Sequence, residues 1–309
     1  MTVPTALLFP GQGSQKVGMG RRLADDHPIA RETFAEADDA VGSAISRLCF
    51  EGPKDELVKT ENAQPAILAV SVATWRALRA EVDLVPSWVA GHSLGEYSAL
   101  VVAGALAFPD ALRLVRTRGR LMQQAVPEGI GAMAALLGVD EAPVAEFCRQ
   151  AAGDEIVTAA NLNGAGQVVV AGHRAAVDRV IELARAAGAR ALPVPVSAPF
   201  HCPLMAPAAD GLRAALADVS IDPPTVPVVA NVDATPTTDA ARIRELLVQQ
   251  VTAPVRWGAS MQQLAELGCR RAVEVGPGQV LTKMLQRMRL GIDAMAAEAG
   301  HWDALGVEA

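Results

Sequence analysis

Gly91-His92-Ser93-Leu94-Gly95 is the stretch on which the reading of this chain turns. It lies between an apolar run, Ser87-Trp88-Val89-Ala90, and a long apolar helix expected from Glu96 onward. A serine at the apex of a strand-to-helix turn is forced into a strained backbone. Glycines two residues before and after it remove the Cβ atoms that would collide there. The hydroxyl is thereby pushed outward. The N-terminus of the following helix points at the same spot, so backbone N–H groups such as that of Leu94 can face an anionic oxygen. The pattern is that of a nucleophile elbow with Ser93 as candidate nucleophile, and the unbroken apolar run 98–108 supplies the helix behind it.

The surrounding chain is long enough to build a large α/β fold on that turn. Its 309 residues are 51% hydrophobic and 20% charged, a composition that can bury a sizeable core. The longest apolar run is too short to cross a bilayer, which takes about 20 residues, and Met1-Thr2-Val3-Pro4 carries no basic leader. The expectation is a cytoplasmic protein. Its four cysteines form no C-x-x-C pair, so neither a disulfide framework nor a zinc site is indicated, and no metal is expected. A net charge of −7 without any Lys/Arg-rich run argues against nucleic acid as a partner.

Taken in order, residues 5–9 read as a buried strand that enters Pro10-Gly11-Gln12-Gly13-Ser14-Gln15, after which a polar helix is expected through to His27. The loop is not a dinucleotide fingerprint, because the third glycine position holds Lys16. Asn62-Ala63-Gln64-Pro65 is expected to cap an apolar helix over 66–80, with proline in its first turn. A further helix spans 111–126. Helical spacing puts Arg118 on or beside its apolar face, while Arg113, Arg116 and Arg120 fall on the polar side. A guanidinium so placed needs a carboxylate or phosphate partner, either a ligand or a structural salt bridge.

From Gly131 the pattern becomes βαββαβ: strands at 131–139, 156–160, 167–171 and 190–196, helices at 142–152 and 175–187. That order predicts a ferredoxin-like small domain, 129–197, inserted into an α/β-hydrolase-like catalytic domain made of 1–128 and 198–309. The chain re-enters the larger unit at Ser197-Ala198-Pro199-Phe200-His201. A last strand, 271–275, runs into Gly276-Pro277-Gly278, and the tail after Arg289 carries no distinctive pattern.

A serine hydroxyl needs a base within hydrogen-bond reach. His92 precedes the serine and should point away from the hydroxyl. His173 sits at a helix start in the small domain, and His27 and His301 lie in polar segments read as exposed. His201, in a Pro-flanked loop at the domain junction, is left as the base. No acidic residue offers itself behind it, so the imidazole is oriented by a backbone carbonyl or by an amide such as Gln250.

Nearly the whole chain resembles the malonyl-CoA:acyl-carrier-protein transacylases, acyltransferases of fatty acid and polyketide synthesis. The matching pieces are Phe9 through Gln15, Gln64-Pro65-Ala66, Gly91 through Leu100, Arg118-Gly119, Asn161 through Gly172, His201, Gln250 and Glu274 through Gly278. The resemblance implies the two-domain α/β architecture already read from the rhythm, with the site in the gorge between the domains. It implies Ser93 as nucleophile, His201 as base, the N–H groups of Gln12 and Leu94 as oxyanion hole, and Arg118 as the clamp on the malonyl carboxylate. Gln250 would lie near His201, and Asn163 would line the channel for the thioester arm.

The implied reaction is ping-pong malonyl transfer to the phosphopantetheine thiol of acyl carrier protein. Malonyl-CoA is then a substrate, and no cofactor is involved. A serine hydrolase or thioesterase, and the malonyl-transferring subunit of a malonate decarboxylase, would share the elbow. A monomer is expected, with the acidic carrier protein docking on a basic rim drawn from Arg174, Arg179, Arg185 and Arg190, or from Lys283, Arg287 and Arg289. Phe200 is expected to crowd the α-carbon of the acyl group and so disfavour methylmalonyl.

Overall fold

The computed structural model describes residues 3–196, 198–297 and Trp302. The chain opens with β1 (Thr5–Phe9), α1 (Arg21–Asp26), α2 (Pro28–Val41), α3 (Ile45–Glu51) and α4 (Lys54–Leu57), then α5 (Thr60–Glu81), β2 (Trp88–Gly91), α6 (Gly95–Val102) and α7 (Phe108–Gln124). A compact βαββαβ unit follows: β3 (Gly131–Leu137), α8 (Glu141–Ala152), β4 (Val157–Gly164), β5 (Gln167–His173), α9 (Arg174–Ala186) and β6 (Arg190–Pro193). The rest comprises α10 (Ala206–Ala217), β7 (Val228–Val229), β8 (Pro236–Thr237), α11 (Ala240–Gln250), α12 (Trp257–Glu266), β9 (Arg271–Glu274), α13 (Val280–Met288) and β10 (Asp293–Ala296).

Two sheets result. The larger has the order β10-β9-β1-β2-β7-β8, parallel from β10 to β7, with β8 antiparallel at the far edge. Its apolar, two-sided strands are those of a sheet covered on both faces; all five residues of β1 are buried. The smaller sheet, β4-β5-β3-β6, is antiparallel throughout. Its own core is formed by residues such as Leu136, Val144, Val170, Val177 and Val180. This is the α/β-hydrolase-like sheet with a ferredoxin-like insertion expected from the sequence.

Register fixes where the chain can do chemistry. Phe9 stands opposite Gly91, and Leu8 lies between Ala90 and Glu274, so β1, β2 and β9 end at one level and discharge their loops side by side. The small sheet is tied to this edge by β4, which carries register shifts near Asn161 and Leu162 and pairs with the chain after α11: the Leu162 N–H donates to Val255 O at 2.8 Å.

Several boundaries differ from expectation. The polar helix before His27 starts only at Arg21, because Gly13, Gly18 and Gly20 take left-handed φ values of 102°, 94° and 75° and hold the preceding stretch as a loop. Helix α5 begins at Thr60, which puts Pro65 inside it; Asn62 does not cap but donates its side-chain amide to Glu56 O at 3.0 Å. The elbow helix α6 has 8 residues and not the long run expected. Gly104, at φ 76°, stops it: Ala105 N–H reaches back to Leu100 O and Gly104 N–H to Val101 O, a Schellman ending. Strand β6 closes at Pro193, near a second proline, Pro195, that likewise has no N–H for a ladder. The last strand is β10, pairing parallel to β9 where the sequence showed no pattern. His27 is also less exposed than read: it stacks on Trp302 with ring centroids 5.1 Å apart, and its Nδ1 lies 3.0 Å from Glu81 Oε1. His301 lies outside the described residues.

Candidate active site

The elbow forms because nothing larger than hydrogen fits around it. A Cβ on Gly91 would sit 1.9 Å from the Gly95 carbonyl carbon, and one on Gly95 would sit 2.0 Å from Phe9 O. Ser93 takes φ 51°, a left-handed conformation that a non-glycine residue holds only where its surroundings enforce it. Here Asn231 does the enforcing: its Oδ1 accepts from Ser93 N–H at 2.7 Å and its Nδ2 donates to Gly91 O at 2.6 Å. The serine's own N–H is thereby occupied, and the Leu94 amide is the next one along the turn.

Ser93 Oγ lies 2.7 Å from His201 Nε2. His201 Nδ1 lies 2.8 Å from the backbone oxygen of Gln250, which can only accept, so Nδ1 carries the hydrogen and Nε2 is left to accept from the serine. Between the two orienting groups weighed in the sequence, the backbone carbonyl is the one used, and Gln250 supplies it. Burial, reinforced by the positive charge of Arg118, pushes the imidazole down to about 3. It is therefore neutral at neutral pH.

Arg118 is 1% exposed on the buried side of α7. Its Nη1 donates to Gln64 Oε1 at 2.7 Å; its Nη2 donates to Gln250 Oε1 at 2.9 Å and to Ser93 Oγ at 3.2 Å. Its Cζ lies 5.4 Å from the Tyr97 ring centroid, and Nε has no partner among the described residues. No ion pair to Arg118 is found among them either. The guanidinium is thus held by two neutral amides and reaches the Ser93 hydroxyl.

These groups open into a cavity of about 910 Å³, whose lining includes Gln12, Leu94, Asn161, Asn163, Phe200 and the tip of α13. Gln12 reaches the lining from the loop after β1, its Nε2 donating to Thr60 Oγ1 at 3.2 Å. Asn163 Oδ1 lies 3.0 Å from His92 Nε2, and both residues line the same cavity as Ser93. Phe200 is buried beside His201 in sequence and lines the same space. Glu274, 0% exposed, accepts from the N–H groups of Leu281 and Thr282 and so pins the start of α13 to the sheet.

Sequence reasoning missed two supports. Asn231 follows a strand of 2 residues and gave no pattern at all. Glu96, 2% exposed, accepts from Asn231 N–H at 3.1 Å and from Gln250 Nε2 at 2.7 Å. A lone acid at the head of an apolar helix was the available signal. Among the described residues, no group of three or more His, Cys, Asp and Glu is placed to hold a metal ion, and no helix is long and apolar enough to cross a membrane.

The fold and the site together define a protein of α/β-hydrolase-like architecture with a ferredoxin-like insertion and a serine–histidine pair at its strand ends. Residues 6–299 match the acyl transferase domain family, and the chain belongs to that family. Among its relatives, the malonyl CoA-acyl carrier protein transacylase of Salmonella typhimurium is 50% identical over 95% of this chain and 94% of its own length. The corresponding protein of Bacillus subtilis strain 168 is 44% identical over 94% of this chain and 92% of its own. The acyl carrier protein S-malonyltransferase of Vibrio cholerae superposes with a TM-score of 0.95 at 45% identity, covering 98% of this chain and 99% of that one. A malonyl-transacylase solved in complex with its type II polyketide synthase acyl-carrier protein superposes with a TM-score of 0.92 at 46% identity, covering 95% and 94%.

Proposed function

We infer that this protein transfers the malonyl group of malonyl-CoA to the phosphopantetheine thiol of acyl carrier protein, in fatty acid or polyketide synthesis, through an ester on Ser93. The observation that carries the reading is that one oxygen, Ser93 Oγ, is met by both a neutral imidazole and a guanidinium, at 2.7 and 3.2 Å. His201 Nε2 takes the hydroxyl proton as Oγ attacks the thioester carbonyl. The oxyanion faces the N–H groups of Gln12 and Leu94. Collapse expels CoA, whose sulfur takes the proton from the imidazole. The carrier thiol repeats the steps in reverse order of bonds, giving its proton to His201 and taking the acyl group from Ser93. Arg118 holds the malonyl carboxylate in both halves.

The reaction so written uses no cofactor and no metal, and the reading makes this a cytoplasmic, monomeric enzyme. It divides the chain into a catalytic domain of 1–128 and 198–309 and a small domain of 129–197. Phe200 would limit branching at the acyl α-carbon, and Asn163 would line the arm channel. For carrier docking, the α13 cluster of Lys283, Arg287 and Arg289 is favoured over the small-domain arginines. Arg174, Arg179 and Arg185 already donate to backbone oxygens of Gly129, Ala151 and Ala191, whereas Arg287 and Met284 edge a hollow that adjoins the cavity at Asn163. Intact-mass measurement after brief exposure to malonyl-, methylmalonyl- and acetyl-CoA tests the whole reading. A malonyl adduct that carrier protein removes is the expected result; thioester hydrolysis that ignores the carrier would make the protein a hydrolase instead.

A further inference from the structure

Glu96 takes no part in these steps, yet it is built into them. Its Oε2 accepts from Asn231 N–H and from Gln250 Nε2, and Gln250 Oε1 accepts from Arg118 Nη2 at 2.9 Å. One amide thus joins a buried carboxyl to a buried guanidinium. That amide cannot turn over: Gln250 Nε2 faces three acceptors, Glu96 Oε2 at 2.7 Å, Ser93 O at 3.1 Å and Asn231 Oδ1 at 3.3 Å, and a flip would set oxygen against oxygen.

The charge balance of this assembly changes when it is filled. A guanidinium out of water is costly without a negative charge near it, and Glu96 is the acid the structure joins to Arg118. A malonyl carboxylate bound at Arg118 would place a second negative charge in the same enclosed space. Two carboxylates competing for one cation in low dielectric favour protonation of one of them.

We propose that Glu96 balances Arg118 while the site is empty and takes up one proton from solvent when a carboxylated acyl group occupies the guanidinium. Glu96 is thereby a specificity-determining residue, setting how strongly the site prefers charged over uncharged acyl groups at a given pH. The proposal rests on the malonyl-transfer reading above. The proton adds to Oε1, which meets no donor among the described residues, so Oε2 keeps both its bonds and no other bond changes. An uncharged acyl group leaves Arg118 unmatched, and Glu96 then stays ionised.

Other charged and titratable groups surround Glu96. Asp233, from the turn after β7, is paired with Arg242 at 2.5 Å; the Tyr97 hydroxyl is pushed up to about 12 and His201 down to about 3. Burial outweighs the pull of Gln250, Asn231 and Arg118 and raises the Glu96 carboxyl to about 7, so the exchange of charge falls within the working pH range.

The test is the ratio of acylation kcat/KM for malonyl-CoA over acetyl-CoA, from about pH 6 to about pH 9, in wild type and Glu96→Gln. The ratio cancels the titration of His201 and of the CoA phosphates. In wild type it should fall above about pH 7, approaching tenfold per pH unit. Glu96→Gln keeps an oxygen for both donors but cannot ionise, so its ratio should stay at the low-pH value. A flat wild-type ratio, or an unchanged slope in the variant, overturns the proposal.

Calorimetry needs no change at Glu96. Malonyl-CoA titrated into Ser93→Ala protein at about pH 8, in buffers of different ionisation enthalpy, should take up close to one proton, and acetyl-CoA none. Equal proton counts overturn the role of Glu96 alone. Absence of any malonyl ester on wild-type protein overturns the malonyl-transfer reading with it.

Discussion

The two walls of the cavity are made differently. The wall at the end of the parallel sheet is polar and hydrogen-bonded: Ser93, Asn231, Glu96, Gln250, Arg118 and His201 are linked by hydrogen bonds of 2.7 to 3.3 Å. The wall facing it, from the antiparallel sheet and the chain after it, shows Met133, Ala135, Val169, Val194 and Val196, with Asn163 tied across to His92. A bonded polar network has one arrangement, whereas an apolar surface restricts only shape. In the proposed function, chemistry is therefore set by the first wall and the outline of the substrate by the second. Changes to the first should be severe and specific, and changes to the second graded.

The sharpest test of that contrast is Ser93→Ala, which should abolish the acyl-enzyme mass adduct entirely while His201→Ala slows its formation by about 10² to 10⁴. A stable malonyl adduct on Ser93→Ala protein would place the chemistry elsewhere.

Next in size is Arg118→Ala. Leaving the malonyl carboxylate enclosed without its counter-charge should cost on the order of 2 to 5 kcal/mol, about 30-fold to several-thousand-fold in acylation. Acetyl-CoA, with no carboxylate, should be spared, and a melting curve checks that the variant folds. Parallel losses for both thioesters would make Arg118 a structural residue.

Phe200 lines the same cavity, and under the proposed reading Phe200→Ala should be milder. A methyl group in a pocket is worth about 1 to 3 kcal/mol, so a malonyl preference over methylmalonyl of tens to a few hundred fold should shrink toward unity. An unchanged ratio in competition assays removes Phe200 from selectivity.

The smallest effect is one of acid. His201 is held below its usual value, so the stability its burial contributes is present above about pH 6.5 and is lost as pH falls toward 3. Acylation by acetyl-CoA should accordingly change less than about twofold between pH 7 and pH 5.5. A midpoint near 6.5 would mean that the imidazole is not buried as described.

How legible all this was in the sequence depended on distance along the chain. The elbow was readable because strand, glycines, serine and helix start are consecutive, and the βαββαβ unit because its elements follow one another. Arg118 was readable from helical spacing, and its partners Gln64 and Gln250 lie 54 and 132 residues away, where no periodicity reaches. Asn231 was invisible for the same reason, since it acts on Ser93 across 138 residues. Strand β10 was missed because Asp293-Ala294-Met295-Ala296 has no β-branched residue; it forms by pairing with β9. The long helix expected after the elbow failed on Gly104, a stop signal within an otherwise apolar run.

The placement of β1 bears on how the molecule is born. Thr5 stands opposite Arg271, so β1, made before β9, acquires its second neighbour only when β9 has been synthesised. Until then a fully buried strand of the sheet has an open edge, and the loop carrying Gln12 has no glycine loop beside it. The elbow, the imidazole and the Gln250 carbonyl that orients it emerge in turn. The nascent chain thus carries Ser93 without its assembled surroundings until His201 and Gln250 have followed it. Pairing of β1 with β9 is a contact between strands far apart in the chain, of the kind that forms slowly and leaves incomplete chains exposed to aggregation.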